Sequence, residues 1–272
     1  MSAPGSKLDG AAIARALGRD PAAVIVLDEI GSTNDYIREN AGVLTAGSVV
    51  FAEAQTHGRG RRGRQWVSPR GGNLLFSVLL RPEFGMEKWS RLTHAAALAV
   101  SRGIEKIVPE LAAGIKWPND IFVGGRKIAG ILLESHVAGS GTGARFAVAG
   151  IGLNVNGLAA DWPEELRGSL TSLRECRADK EPVSREEVAV AVVREFGELV
   201  GGVDGDFGPV LKEMARRSTL LGKRVEATLP GGRLLEGEAI RFGEEGELVL
   251  RVPGEERERV LASVERIRVA GD

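Results

Sequence analysis

A glycine–arginine loop, HGRGRRGRQW (57–66), lies between two strand-like runs with no room for a helix on its far side. Gly58, Gly60 and Gly63 within it satisfy G-x-G-x-x-G. A dinucleotide-binding fold needs that pattern to open a helix. Here a suitable strand, GSVVFAEAQ (47–55), leads into the loop, but Trp66-Val67-Ser68-Pro69 and a glycine pair follow it. The next run, GGNLLFSVLL (71–80), again reads as a strand. That order argues against a nicotinamide or flavin fold, and three arginines inside the motif exceed what its tight turn needs.

The remaining segments alternate between the two periodicities. Residues 8–18 read as a short amphipathic helix, and AAVIVLDEI (22–30) as a buried strand rich in β-branched residues. STNDYIREN (32–40) reads as a short helix with Ser32 or Thr33 as N-cap and Asp35 adding charge near its start. Residues 86–108 suit a helix whose stripe holds Trp89, Leu92, Ala96, Leu98, Ala99 and Ile104, stopped by Pro109. GIKWPND (114–120) reads as a turn, and IFV with RKIAGILLES flanks Gly124-Gly125 as a hairpin. RFAVAGIGLNVN (145–156) is a strand with a glycine-rich end, and residues 184–217 read as two helices broken by GGVDGDFGP. After about residue 218, four or five short strands form a small all-β module such as an SH3-like barrel. The expected class is α+β, with a mixed-sheet domain over residues 1–217 and the β module over 218–272.

Composition narrows the function. A formal net charge of -1 leaves no global field for nucleic acid or an anionic membrane, so any basic site is local. Cys176 is the single cysteine, which excludes an intramolecular disulfide, and the three histidines show no metal-ligand spacing. The first ten residues lack an apolar signal region, and no apolar run approaches the ~18 residues that span a bilayer. The expected location is the cytoplasm, away from any membrane.

The loop then has three readings. Arginine, glycine and an aromatic suit single-stranded nucleic acid, but the cluster is isolated in a near-neutral chain. A solvated surface loop is the plainest reading. The third is a lid over a small polyanion: glycines bring backbone N–H groups close, and guanidinium forks meet phosphate oxygens. Trp66 at its end either stacks on a base or packs in the core.

Four further stretches bear on the choice: GSTN (31–34), GGNLLFSV (71–78), KWPNDIFVGGRKIAGILLE (116–134) and GIGLNVN (150–156). With the loop, in this order and at these spacings, they resemble the biotin–protein ligases, from about residue 20 to the C-terminus. The resemblance implies activation of biotin by MgATP to biotinyl-5′-AMP, then transfer to one lysine of a biotin carboxyl carrier protein domain of a biotin-dependent carboxylase. It implies that Ser32, Thr33, Asn34, Gln55, Arg59, Gly60, Arg61 and Lys127 bind biotin. It implies that Arg61, Arg64, Trp66, Lys116, Asn119 and Asn154 bind the nucleotide. Lys127, Arg61 and Asp120 match the catalytic positions, with Lys127 bridging biotin carboxylate and α-phosphate. Asp120 holds magnesium or orients the incoming lysine, and the sequence does not choose between these.

About twenty residues precede the first strand, so the expectation is a ligase without the DNA-binding repressor role that some relatives carry. At the C-terminal end Ala262-Ser263-Val264 stands where relatives often have Gly-Asp or Gly-Glu, with Arg268 as the later arginine. Members often form homodimers through the catalytic sheet, but no residue here shows which edge would pair. Lipoate–protein ligases are the nearest alternative, and the arginine loop with KWPND favours biotin.

Overall fold

The computed structural model describes residues 7–137 and 145–271. The chain opens with α1 (Gly10–Leu17), β1 (Val24–Leu27), α2 (Thr33–Asn40), β2 (Val49–Ala52) and β3 (Leu74–Leu80). There follow α3 (Ser90–Ile107), β4 (Gly114–Lys116), β5 (Asp120–Val123), β6 (Arg126–Val137) and β7 (Arg145–Leu153). Three helices come next: the short α4 (Leu173–Cys176), α5 (Arg185–Val200) and α6 (Gly208–Arg217). The last part is all strand: β8 (Arg224–Thr228), β9 (Leu234–Phe242), β10 (Leu248–Arg251), β11 (Arg259–Leu261) and β12 (Arg266–Val269).

The helix ends follow local chemistry. Asp9 accepts from Ala12 N at the start of α1, and Gly18 closes that helix in the left-handed region at φ 65°. Ser184 caps α5 by accepting from Glu187 N. Ser32 is the N-cap residue of α2, but its side chain makes no capping bond.

β1 to β7 form one mixed sheet in the order β1-β2-β3-β7-β6-β5-β4. β1 and β2 pair in parallel and all other neighbours antiparallel. α3 packs across β4 to β7 and against α5, while α2 lies on β2, β3 and β7. One large core joins α3 and α5 to Val49, Phe51, Phe76, Ala149 and Ile151. A smaller one joins Ile37 of α2 and its C-cap residue Ala41 to Val50, Leu79 and Val148. Alternate residues of one strand thus serve opposite faces.

One local reading changes. GIK is not turn but the edge strand β4, because it finds partners on both sides: β5 by antiparallel pairing, and Thr219 N, which donates to Ile115 O at 3.0 Å. Nothing in three residues beside a Pro-Asn-Asp turn signals that distant partner.

β8 to β12 form a separate antiparallel sheet in the order β11-β10-β9-β8-β12. Its core of Val225, Ala227, Ala239, Leu248, Leu250 and Ile267 also takes in Trp117, which belongs to the first sheet's β4–β5 turn. The Trp117 indole donates to Gly246 O at 2.8 Å. Beside it, buried Arg91 of α3 forms a two-pronged pair with Glu245, 2.6 Å on each prong, and donates to Val203 O. A bidentate pair plus a shared tryptophan fixes the module's orientation on the larger domain. That brings residues 264–268 to the rim of the cleft described next.

Candidate active site

The pleat of the large sheet decides where a cleft is available. Cross-strand register aligns Phe51, Phe76, Ile151 and Ile131 in one row, all members of the core under α3. The rows on either side face the opposite way: Val50, Ser77, Gly150 and Leu132 in one, Leu75, Gly152, Gly130 and Asp120 in the other. Three glycines in two adjacent rows leave that face bare. The room is taken by other groups. A side chain on Gly150 would collide with the Asn34 amide, and one on Gly152 with the Trp66 indole. A Cβ on Gly130 would come within 3.0 Å of the same indole and 3.2 Å of Lys127 Nζ. Above this floor lies a cleft of about 600 Å³.

One end of the cleft is polar and buried. The N-terminus of α2 brings Ser32, Thr33 and Asn34 to it, each no more than 4% exposed. Gln55, just past β2, accepts from Thr33 N at 2.8 Å and lies 3.0 Å from Thr33 Oγ1. Thr33 Oγ1 is 2.7 Å from Ser77 Oγ, and Ser77 donates to Asn34 Oδ1 at 2.5 Å. The Asn34 amide donates to Glu134 at 2.6 Å. Arg59 joins Glu134 at 2.8 Å and Asp35 at 3.0 Å, tying the loop to α2 and β6. Ser77 and Glu134 lie within the stretches GGNLLFSV and KWPNDIFVGGRKIAGILLE, but nothing in the sequence singles them out. Only their place in the register reveals them.

The arginine loop is a pinned hairpin. Trp66 N donates to Gly58 O at 2.9 Å and Gly60 N to Arg64 O at 2.7 Å. Gly58 has no space for a side chain, since a Cβ there would strike the Trp66 carbonyl. Arg62 sits at the hairpin tip with φ 58°, a left-handed value that costs a non-glycine residue. The tip leans on the C-terminal module: Arg64 donates to Glu265 O at 2.6 Å, and Arg62 lies 3.6 Å from the Glu265 carboxylate.

Cations gather at the other end. Lys127 pairs with Asp120 at 2.7 Å and lies 5.4 Å from the Trp66 ring centre. Its backbone is held by β5 and by residues 169–171, with Lys127 N donating to Ser169 O at 2.9 Å. Lys116 lies 4.9 Å from the centre of the Phe122 ring. Arg61 donates to Asn119 Oδ1 at 3.1 Å, while the Asn119 amide donates to Ile131 O. Burial, then neighbouring Arg62, pulls the Arg61 pKa down, and Asp120 works in the other direction. Such a cation is held in a desolvated, crowded site, an arrangement that an arriving anion relieves.

Ser32, Thr33, Asn34, Gln55, Arg59, Gly60, Arg61, Arg64, Trp66, Lys116, Asn119, Asp120 and Lys127 all line this cleft. Asn154 does not. It is 1% exposed, donates to Thr171 O at 3.0 Å and accepts from Asn73, so its amide joins β7 to the segment before α4. A buried amide with both ends used inside the fold is not presented to a nucleotide. Arg268 lines the rim but is paired with Glu226. Among the described residues, no group of three or more His, Cys, Asp or Glu side chains is placed to hold a metal ion. None of their helices is long and apolar enough to cross a membrane.

The model of the Biotin/lipoate A/B protein ligase family matches residues 5–155. The bifunctional ligase/repressor BirA of Bacillus spizizenii is 39% identical over 158 residues, 58% of this chain and 48% of that protein. The chain thus spans about half the length of that relative. The biotin–[acetyl-CoA-carboxylase] ligase of Mycobacterium tuberculosis is 33% identical over 84% of this chain and 83% of its own. Among solved structures, the biotin protein ligase from Aquifex aeolicus in complex with biotin and ATP superposes with a TM-score of 0.76 at 30% identity, covering 90% of this chain and 98% of that one.

Proposed function

Because the chain belongs to the Biotin/lipoate A/B protein ligase family, we propose that it joins biotin to ATP as biotinyl-5′-AMP, releases pyrophosphate, and passes the biotinyl group to a lysine of a biotin carboxyl carrier domain of a carboxylase. One observation carries this reading: a single cleft joins a buried hydrogen-bonding end at Thr33 and Gln55 to a cationic end at Arg61, Lys116 and Lys127. A ureido ring offers N–H and C=O groups to the first. A carboxylate attacking an α-phosphate needs the second, because two anions converge.

The residues then divide the work. Lys127, on a strand tied on both edges, places its ammonium where carboxylate and phosphate oxygens meet. Arg61 and Lys116 meet the phosphates. Trp66, whose indole Nε1 is buried with no hydrogen-bond partner among the described residues, covers the glycine floor. Hairpin and module together exclude water from the mixed anhydride. Asp120 holds Lys127 in place before substrate arrives and then accepts from the incoming lysine.

Magnesium fits this site only as a companion of ATP. Among the described residues, the carboxylates lining the cleft are Asp120 and Glu265, and Asp120 is already paired with Lys127. When bound with ATP, the ion would offset charge on the departing pyrophosphate, and Asp120 is the carboxylate that would hold it if it gave up Lys127. The reaction belongs in the cytoplasm, in keeping with a chain that has one cysteine. A homodimer through the large sheet would use β1, since the outer side of β4 is taken by residues 218–219.

Lipoate is the substrate to separate from biotin. A dithiolane ring has no N–H or C=O, so it offers Thr33 and Gln55 no hydrogen bond in exchange for the water they lose. The test is ATP–pyrophosphate exchange with each acid in turn. Exchange with biotin and none above background with lipoate is expected; the reverse pattern overturns the proposal.

A further inference from the structure

Ser77 on β3 and Glu134 on β6 tie Thr33 and Asn34 into one chain of contacts, and the protons in that chain can be assigned in turn. Glu134 accepts from Arg59 at 2.8 Å and from Asn34 Nδ2 at 2.6 Å. A carboxylate paired with arginine only accepts. The reversed Asn34 amide would set oxygen against oxygen there, so Nδ2 faces Glu134 and Oδ1 faces Ser77. Ser77 Oγ lies 2.5 Å from Asn34 Oδ1, a separation two oxygens hold only with a proton between them. That proton is the one Ser77 owns.

The second contact of Ser77, 2.7 Å to Thr33 Oγ1, must then be donated by Thr33. Thr33 also has one hydroxyl proton, and two acceptors lie within its reach, Ser77 Oγ and Gln55 Oε1. Once Ser77 takes it, Thr33 Oγ1 and Gln55 Oε1 stand 3.0 Å apart with no proton between them. Gln55 cannot turn its amide over, because Oε1 already accepts from Thr33 N at 2.8 Å. Two lone-pair donors side by side at the mouth of a buried pocket are a receptor for one N–H.

We infer that Glu134 and Ser77 are positioning residues that set the polarity of the cleft: they turn the Thr33 hydroxyl into an acceptor and so select a ring carrying an N–H. Neither residue lines the cleft; both act through Thr33 and Asn34. Ser77 is completely buried, and a hydroxyl with no solvent access keeps the proton direction its partners dictate. The inference rests on the biotin reading above, since the ureido ring supplies the N–H.

The experiment compares wild type, Ser77→Ala and Glu134→Gln in biotin-dependent ATP–pyrophosphate exchange, with biotin and with biotin methylated on one ureido nitrogen. Ser77→Ala frees the Thr33 proton to swing to Gln55. Glu134→Gln keeps size but lets the Asn34 amide turn over. Each variant is expected to raise KM for biotin about tenfold, the usual consequence of one mispaired buried polar group, while kcat and KM for ATP stay near wild type. Each is also expected to narrow the preference for biotin over the methylated analogue, an effect that general loosening of the fold would not produce. Unchanged KM and unchanged preference in a folded variant overturn the inference and leave the biotin reading intact. A drop in kcat alone overturns it as well. If Ser77→Ala does not fold, Glu134→Gln decides. No biotin-dependent exchange by the wild type would overturn the biotin reading itself, and this inference with it.

Discussion

Along β7, Ala147, Ala149 and Ile151 enter the core beneath α3, while Gly150 and Gly152 turn to the side of α2 and the arginine hairpin. The same contrast runs across the sheet. Phe51, Phe76, Ile151 and Ile131 form an unbroken apolar row. The next row, Val50, Ser77, Gly150 and Leu132, contains a serine and a glycine at its centre. One face is filled by its own side chains and made dry. The other is left short of side chains, so that Trp66, Asn34 and a substrate supply the missing volume. A period of two lets each strand carry stability on one side and chemistry on the other, with little interference between them.

Substitutions on the two faces should therefore fail differently. The largest stability effect is expected from Phe51→Ala, which empties a fully buried ring stacked 5.1 Å from Phe76. Denaturant unfolding should show a loss of about 3–5 kcal/mol, with exchange activity per folded molecule retained well below the melting temperature. A comparable loss of activity in the folded fraction would break the separation of faces.

The packed side also predicts a pH dependence. His94 of α3 is buried against the Gly246 turn and the Phe207 ring, and burial holds its pKa down at about 4 against the ordinary 6.5. Between those values the unfolded chain binds the extra proton, so stability is complete above pH 6.5 and declines as pH falls towards 4. The decline attributable to this residue is about 3 kcal/mol by the low end. It should be present in wild type and missing from His94→Phe, so the difference between their stabilities should shrink as pH falls across that range.

On the open face, Gly152→Ala should spare the fold and harm the site. Its methyl group would displace the Trp66 indole, an overpacking of about 1–3 kcal/mol that falls on ligand binding. KM for biotin should rise by tenfold or more with the melting temperature little changed. Equal damage to both would mean that the floor is structural.

Arg61→Gly is the gentlest of these tests. Lys116 and Lys127 remain to meet the α-phosphate of ATP, so adenylate synthesis should continue while the hairpin's hold on the anhydride weakens. Incubated with biotin, MgATP and albumin, the variant should label albumin more strongly than wild type at equal adenylate synthesis. No excess label would return Arg61 to a surface role.

Much of this architecture is legible in the sequence because it is local. The strand runs at 71–80 and 145–156, the Gly124-Gly125 hairpin and the helices broken at 201–209 all rest on periodicity or turn residues within a short window. The hairpin 57–66 stands out for its composition. What escapes depends on partners far along the chain. Ser77 and Glu134 look like ordinary strand residues until register places them beside Thr33 and Asn34, 44 and 100 residues away. Trp117 reads as a motif residue, yet it completes the core of the C-terminal module. Asn154 belongs to a motif as well, but its amide is spent on Thr171 and Asn73. Motif membership marks a neighbourhood, and only packing decides which of its side chains reach the cleft.

In the proposed reaction, the bare face concentrates positive charge on an attacking carboxylate, with Lys127 at the meeting point. The most direct test is ATP–pyrophosphate exchange by purified Lys127→Ala at saturating biotin, with circular dichroism to verify the fold. A preorganised charge that acts mainly in the transition state is worth on the order of 10²–10³ in rate, so exchange should fall by about that factor while the spectrum and melting temperature stay those of wild type. Near wild-type exchange from the folded variant would remove Lys127 from the meeting point of carboxylate and phosphate.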